Sequence, residues 1–160
     1  MQSEYKFSYE VFDSSEELSQ EDSILLNESR KATENSYAPY SRFRVAAVAK
    51  LSNGKIIPGT NQENASYPAG ICAERVLLSS VSSQYPNAII ESIAIAYNNE
   101  NGESDYPISP CGICRQSLQE YEHRQKKSIR LILAGMKGKV YIISQSSLLM
   151  PLAFTANDLK

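Results

Sequence analysis

Three cysteines, Cys72, Cys111 and Cys114, and one glutamate, Glu74, are the residues of this sequence whose types and spacing could do chemistry. They fall in two short segments, Cys72-Ala73-Glu74-Arg75 and Pro110-Cys111-Gly112-Ile113-Cys114. An odd number of cysteines with no secretory leader ahead of them argues against a disulfide framework. Alone, the CxxC also reads as a redox pair or as two ordinary buried thiols. Together with Cys72 it offers three soft thiolates, and zinc is the natural guest of such a set. Three protein ligands leave one coordination position open, as in catalytic rather than structural zinc sites. The single histidine, His123, lies nine residues past Cys114. That is about 13 Å along a helix, too far for a fourth ligand. Glu74 stands two residues after a candidate ligand, where it can reach a water without binding the metal. A carboxylate so placed can accept a proton from water and return protons to a leaving group. Three thiolates exceed the charge of Zn²⁺, so the Arg75 guanidinium is a candidate for drawing charge off the sulfurs, and Arg115 is a second.

For these groups to meet, two helix N-termini must converge. Residues 71–84 and 111–123 read as helices that both open on the cysteine segments. A helix N-terminus has unpaired N–H groups and partial positive charge, which favour thiolate over thiol. Upstream, Ser19 followed by Asp22 reads as an N-cap, and Ile24, Leu25, Glu28, Lys31 and Ala32 continue an amphipathic helix that must stop before Pro39. Residues 43–51 read as a strand, Asn53-Gly54 as a hairpin turn, and 55–60 as the returning strand, with Pro58 putting it at an edge or bulge. Strands are also expected at 89–97, 130–134 and 139–144. The resulting order, α-β-β-α-β-α-β-β, predicts an α/β fold, a three-layer α/β/α sandwich on a mixed five-stranded sheet.

The chain has 160 residues, 42% hydrophobic and 21% charged, which suits one globular domain. Residues 1–18 read as an N-terminal extension holding either one strand or a loose arm, and 19–160 as the catalytic domain. The longest apolar run, residues 148–154, contains Pro151 and falls far short of a membrane span. The first residues, MQSEYKFSYE, lack the basic and apolar regions of a secretory signal, so a cytoplasmic location is expected. A net charge of −2 and the absence of a basic stripe disfavour nucleic acid and point to a small molecule.

The joint pattern CxE…PCxxC is that of zinc deaminases with cysteine as the first ligand. The sequence resembles the cytidine deaminases of the homotetrameric, three-cysteine type over about residues 20–160. The resemblance also rests on Tyr37-Ala38-Pro39-Tyr40-Ser41-Arg42-Phe43, on Asn61-Gln62-Glu63-Asn64-Ala65-Ser66-Tyr67, on Ser109 through Gln116, and on the tail with Leu148-Leu149-Met150-Pro151 and Phe154. It departs from the family at Ala46-Ala47, where glycine is usual, and at Gln62. It implies one Zn²⁺ per chain on Cys72, Cys111 and Cys114, with Glu74 moving protons. It also implies Asn61 and Glu63 on the ribose hydroxyls, Tyr67 in the nucleoside loop and Phe43 lining the pyrimidine pocket. The Ala73 N–H would meet the 2-carbonyl oxygen, and the Ser109 carbonyl would receive the 4-amino group. Cytidine and 2′-deoxycytidine are the implied substrates. Another aminopyrimidine nucleoside, of the blasticidin type, and a non-catalytic zinc-stabilised interaction module are the competing readings. A homotetramer is implied, with Phe154 reaching a neighbouring subunit's site. The apolar residues of the 67–70 loop and of the tail fit that assembly, since both would otherwise expose hydrophobic surface.

Overall fold

Short runs of small and branched residues build a six-stranded sheet at the centre of the molecule, which the computed structural model describes over residues 1–160. Its strands are β1 (Glu10–Phe12), β2 (Phe43–Leu51), β3 (Ile56–Thr60), β4 (Ile90–Asn99), β5 (Arg130–Ala134) and β6 (Val140–Ile143), in the spatial order β1-β6-β5-β4-β2-β3. Only β4 and β5 run parallel; the other neighbours are antiparallel. A parallel pair needs a long crossover. Here it contains α3 (Gly112–Gln125), the third helix after α1 (Gln20–Ala32) and α2 (Ala73–Gln84).

Strand periodicity decides which helix covers which face. Ala46, Val48, Ala94, Ala96 and Ile132 pack with Leu25 and Leu26 of α1. Their strand neighbours Ala47, Ala49, Ile93, Ile95, Leu131 and Leu133 pack on the opposite face with Leu77 and Val81 of α2 and Leu118 of α3. The expected three-layer sandwich is therefore present. Ala46 and Ala47, where the family resemblance leads one to expect glycine, are fully buried and point to opposite layers.

The expectation of five strands is corrected to six. The additional strand comes from the N-terminal extension: Glu10, Val11 and Phe12 pair with Ile142, Tyr141 and Val140. Without β1, β6 would present an open edge of unpaired backbone groups. Three residues are too few for an alternation pattern to be read. Tyr9 packs on Tyr141 at 5.1 Å between ring centroids, and Phe7 and Tyr5 continue this aromatic row.

Local signals otherwise act where expected. The Ser19 hydroxyl accepts from the Asp22 N–H at 3.2 Å and starts α1. Gly54 turns the hairpin with φ +80°. The Asp22 side chain does not complete a reciprocal cap; it takes two hydrogen bonds from the Arg130 guanidinium, at 2.6 and 2.9 Å, tying α1 to β5. Burial alone would raise the Asp22 carboxyl, but the Arg130 hydrogen bonds and charge, with Ser19, outweigh it and hold the pKa below the usual carboxylate range. A lowered native pKa stabilises the fold above the unfolded value near pH 4, and that contribution disappears as the pH falls through the native value. Asp22→Asn is therefore expected to cost about 1 kcal/mol at pH 7 and progressively less in acid. Denaturant melts of both proteins from pH 7 to pH 2 measure this, and a pH-independent difference would refute it. No helix is long and apolar enough to cross a membrane.

Candidate active site

The two cysteine segments meet because α2 lies very close to β3. A Cβ at Gly59 would stand 2.4 Å from the Leu77 nitrogen and 2.6 Å from the Ala73 carbonyl oxygen. Only glycine permits this approach, which sets the first turn of α2 over the sheet. The predicted helices start slightly later than expected, at Ala73 and Gly112, because Cys72 and Cys111 are extended N-cap residues (φ −73°, ψ 152° and φ −66°, ψ 169°). Cys114 follows in the first turn of α3 and is buried.

The three sulfurs lie within 4.8 Å of one another, and those of Cys72 and Cys111 are 3.7 Å apart. Zn–S bonds of about 2.3 Å in a tetrahedron require sulfurs about 3.8 Å apart, so the cluster suits zinc. Its electrostatics agree. The Cys114 thiol, by hydrogen bonding, lowers Cys72 to a pKa of about 6; Cys111 and the Arg75 charge act the same way, against burial and Glu74. Cys114 is raised in turn, first by its hydrogen bond to Cys72 and then by burial. One proton leaves the cluster readily and a second negative charge is resisted, a conflict that a bound cation resolves.

Glu74 is 5% exposed, on the first turn of α2. Burial raises its carboxyl pKa, against weaker opposing contributions from its own backbone N–H and from Cys114. A carboxyl whose pKa is raised by burial holds a proton more readily than a free carboxylate, which suits a group that must both take up and return protons. Ala73 is the first residue of α2, where a backbone N–H has no acceptor within the helix.

Cys72 also borders a cavity of about 500 Å³ whose walls include Tyr40, Ser41, Asn61, Glu63 and Tyr67. Asn61 is held at both ends of its amide: Oδ1 accepts from the Val45 N–H at 2.8 Å, and Nδ2 donates to the Phe43 carbonyl at 2.9 Å. The Glu63 carboxylate accepts from the backbone N–H groups of Tyr40 (2.9 Å) and Ser41 (3.2 Å) and from the Ser41 hydroxyl. These bonds, the Ser41 hydroxyl first, hold its pKa below the usual range. Tyr67 is 78% exposed and meets Tyr40 edge-on at 6.3 Å. The Phe43 ring is half-buried and stacks on Tyr97 at 4.9 Å. Ser109 is exposed, two residues ahead of Cys111.

Three comparisons place this arrangement among known proteins. The family model for the cytidine and deoxycytidylate deaminase zinc-binding region matches residues 19–129. A cytidine deaminase of Halalkalibacterium halodurans is 36% identical over 136 residues, covering 85% of this chain and 96% of that protein. The chain belongs to the cytidine and deoxycytidylate deaminase family. A second cytidine deaminase, from Sporosarcina psychrophila, is 35% identical over 84% of this chain and 92% of its own. The crystal structure of a cytidine deaminase from Burkholderia pseudomallei superposes with a TM-score of 0.71 at 34% identity, covering 86% of this chain and all of that one. Zinc is the cofactor of this deaminase family, and the cysteine cluster fits it.

Within this family member, the predicted contacts Phe43, Ala73 and Ser109 do not line the cavity beside Cys72, and two more predicted residues lie elsewhere. Arg75 and Phe154 line a separate groove of about 840 Å³ between α2, α3 and the tail. There the Phe154 carbonyl accepts from Gln116 of its own chain at 2.9 Å, while its ring is 58% exposed. Arg75 still acts on Cys72 through its charge. Arg115 does not turn to the sulfurs. Its guanidinium donates to the carbonyls of Pro110 (2.8 Å) and Leu149 (3.0 Å), bracing the second cysteine segment against the turn at Ser146–Leu149. Gly59 and Ser41 escape a search for reactive side chains. The glycine inside a predicted strand was the available signal for the first.

Proposed function

We propose that this chain deaminates cytidine and 2′-deoxycytidine hydrolytically, giving uridine or 2′-deoxyuridine and ammonia. The carrying observation is the cluster of Cys72, Cys111 and Cys114 with the buried Glu74 on the same helix turn, beside a cavity of nucleoside-compatible size. Cys72, Cys111 and Cys114 would hold one zinc per chain, and the bound metal would supply the Lewis acidity that makes water nucleophilic near neutral pH. Glu74 takes one proton of that water and passes it to ring N3; it then takes the second, from the hydroxyl now on C4, and gives it to the amino group, which leaves as ammonia as the C4 carbonyl forms. The Ala73 N–H donates to the 2-carbonyl oxygen, and the Ser109 carbonyl accepts from the 4-amino group. Phe43 borders the pyrimidine, Tyr67 belongs to the loop that closes over the nucleoside, and Asn61 and Glu63 take the sugar hydroxyls. Asn61 retains one N–H and one lone pair, and Glu63 one lone-pair direction, beyond the protein bonds they make. Arg75 draws charge from Cys72 and so preserves the metal's acidity.

Residues 19–160 form the catalytic unit in this reading, and residues 1–18 an extension that closes the β6 edge. Three free thiols suit the cytoplasm. The working assembly is a homotetramer with Phe154 against a neighbour's nucleoside. The exposed Tyr67, Leu152 and Phe154 side chains supply apolar surface for it.

Ammonia release from cytidine, deoxycytidine, CMP, cytosine, adenosine and blasticidin S, measured on protein of known zinc content, tests the function. Activity is expected with the two nucleosides and one zinc per chain. No Gly-rich cradle or Lys/Arg pair adjoins the Asn61–Glu63 loop, so kcat/KM for CMP is expected to be lower. Zinc-free protein as purified, or activity confined to adenosine, would overturn the reading. Light scattering is expected to find four chains per particle, and Phe154→Ala to raise KM for cytidine at unchanged zinc content. A fully active particle of 17.8 kDa would refute the shared site.

A further inference from the structure

We infer that Ser41 is a positioning residue for sugar recognition, its hydroxyl fixing the Glu63 carboxylate at the wall of the cavity. This inference rests on the proposed nucleoside deamination and deepens it. Ser41 touches Glu63 twice: its hydroxyl donates to Glu63 Oε1, and its backbone N–H donates to Oε2 at 3.2 Å. The Tyr40 N–H adds a second bond to Oε2 at 2.9 Å. Two N–H groups on one oxygen leave the carboxylate free to twist about that anchor, so the hydroxyl at the other oxygen locks its plane. A carboxylate has about four lone-pair directions, and three are taken by the protein. The remaining one is held ready to accept a hydroxyl. Pre-set acceptors bind more tightly because less freedom is lost on binding.

The Ser41 hydroxyl also accepts from the Phe43 N–H at 3.0 Å, so one small group links the carboxylate to the start of β2. The main chain around it is secured independently. Asn101 donates its side-chain N–H to the Ser41 carbonyl at 3.1 Å. Arg42 sits at φ +54°, with its N–H on the Ala38 carbonyl (3.0 Å) and its carbonyl accepting from the Glu100 N–H (3.0 Å). Removal of the hydroxyl therefore loosens Glu63 while the turn itself stays in place. Ser41 and Glu63 share the cavity with Cys72, yet the hydrogen bonds to the Glu63 carboxylate come from Tyr40 and Ser41 alone and none runs to a cysteine or to Glu74, so the effect belongs to sugar binding and not to the chemical step.

The test uses zinc-loaded full-length protein with cytidine and with 2′,3′-dideoxycytidine, which has no hydroxyls on C2′ and C3′. Ser41→Ala is expected to raise KM for cytidine about 10-fold with kcat within about twofold, as for the loss of one hydrogen bond to a charged group. Its kcat/KM for dideoxycytidine is expected to change by less than about twofold. Ser41→Thr, which keeps the hydroxyl, restores cytidine KM. In a Glu63→Gln background, Ser41→Ala is expected to add nothing further to the discrimination between the two substrates. Should Ser41→Ala fail to fold, Ser41→Cys has nearly the same shape with a weak donor, and is expected to show the same selective rise. An unchanged cytidine KM, or equal losses with both substrates, would overturn the inference; equal losses would reduce Ser41 to a support for Phe43. Wild-type protein that releases no ammonia from cytidine would overturn the proposed function first, and the inference with it.

Discussion

Glu74→Gln is expected to keep zinc and fold while losing about 10³-fold or more in kcat. The amide has the size of the carboxylate, and Glu74 lies beside the cysteine cluster without being one of its three sulfurs. Its position on the first turn of α2, almost sealed from solvent, gives it one task that an amide cannot perform: receiving a proton from water and releasing it to the substrate. General acid–base catalysis of this kind is worth roughly 10²–10⁴-fold, and here one group serves two transfers. Burial favours the uncharged carboxyl, so the neutral glutamine does not destabilise the helix start. Melting temperature and zinc content are expected to match those of the unaltered protein, while the single-turnover rate collapses. A variant retaining more than about a tenth of kcat would remove Glu74 from the reaction. One that lost its zinc would make Glu74 a ligand instead.

Gly59→Ala is expected to cripple the protein from a position with no reactive group. The added methyl would meet backbone on two sides, the Leu77 nitrogen and the Ala73 carbonyl oxygen, both far inside contact distance. Neither neighbour is a flexible side-chain end, so α2 must move off β3. Overpacking typically costs ~1–3 kcal/mol, and a clash with backbone belongs at the upper end. For a chain of this size that is a fall of roughly 10 °C in Tm. The larger consequence is geometric. Cys72 caps α2 and Glu74 follows in its first turn, so both shift relative to Cys111 and Cys114 on α3. Zinc content and kcat are expected to fall together, unlike in Glu74→Gln. Wild-type Tm and zinc content in Gly59→Ala would show that the close approach is not needed.

The reactive groups were legible because their chemistry depends on local spacing. Cys111 and Cys114 are three residues apart on one helix turn, and Glu74 follows Cys72 on another. The central strands were legible for a similar reason, since Phe43–Leu51 is a run of small and branched residues bounded by turn signals. By contrast, β1 is three residues long and exists because β6 offers it an edge. The same limit applies to polar partners. Arg115 looked suited to the sulfurs beside it in sequence, yet it braces the carbonyls of Pro110 and Leu149. Asn61 is proposed from the sequence as a sugar contact, but nothing local marks it as a clamp on Phe43 and Val45 of β2.

The sequence by itself singled out the three cysteines that cluster, Glu74 as the candidate proton carrier and the two helix starts that present them, because helix caps and first turns are set by neighbours a few residues apart. Only the tertiary structure decided that the two helix starts face each other with sulfurs at zinc spacing, that Gly59 is what lets α2 come close enough, and that Ser41 rather than a charged residue secures Glu63. Those are contacts between residues 14 to 42 positions apart, from Gly59 and Ala73 to Cys72 and Cys114. Their partners are chosen by packing and by the demand that every buried polar group find a mate, neither of which leaves a local pattern in the chain.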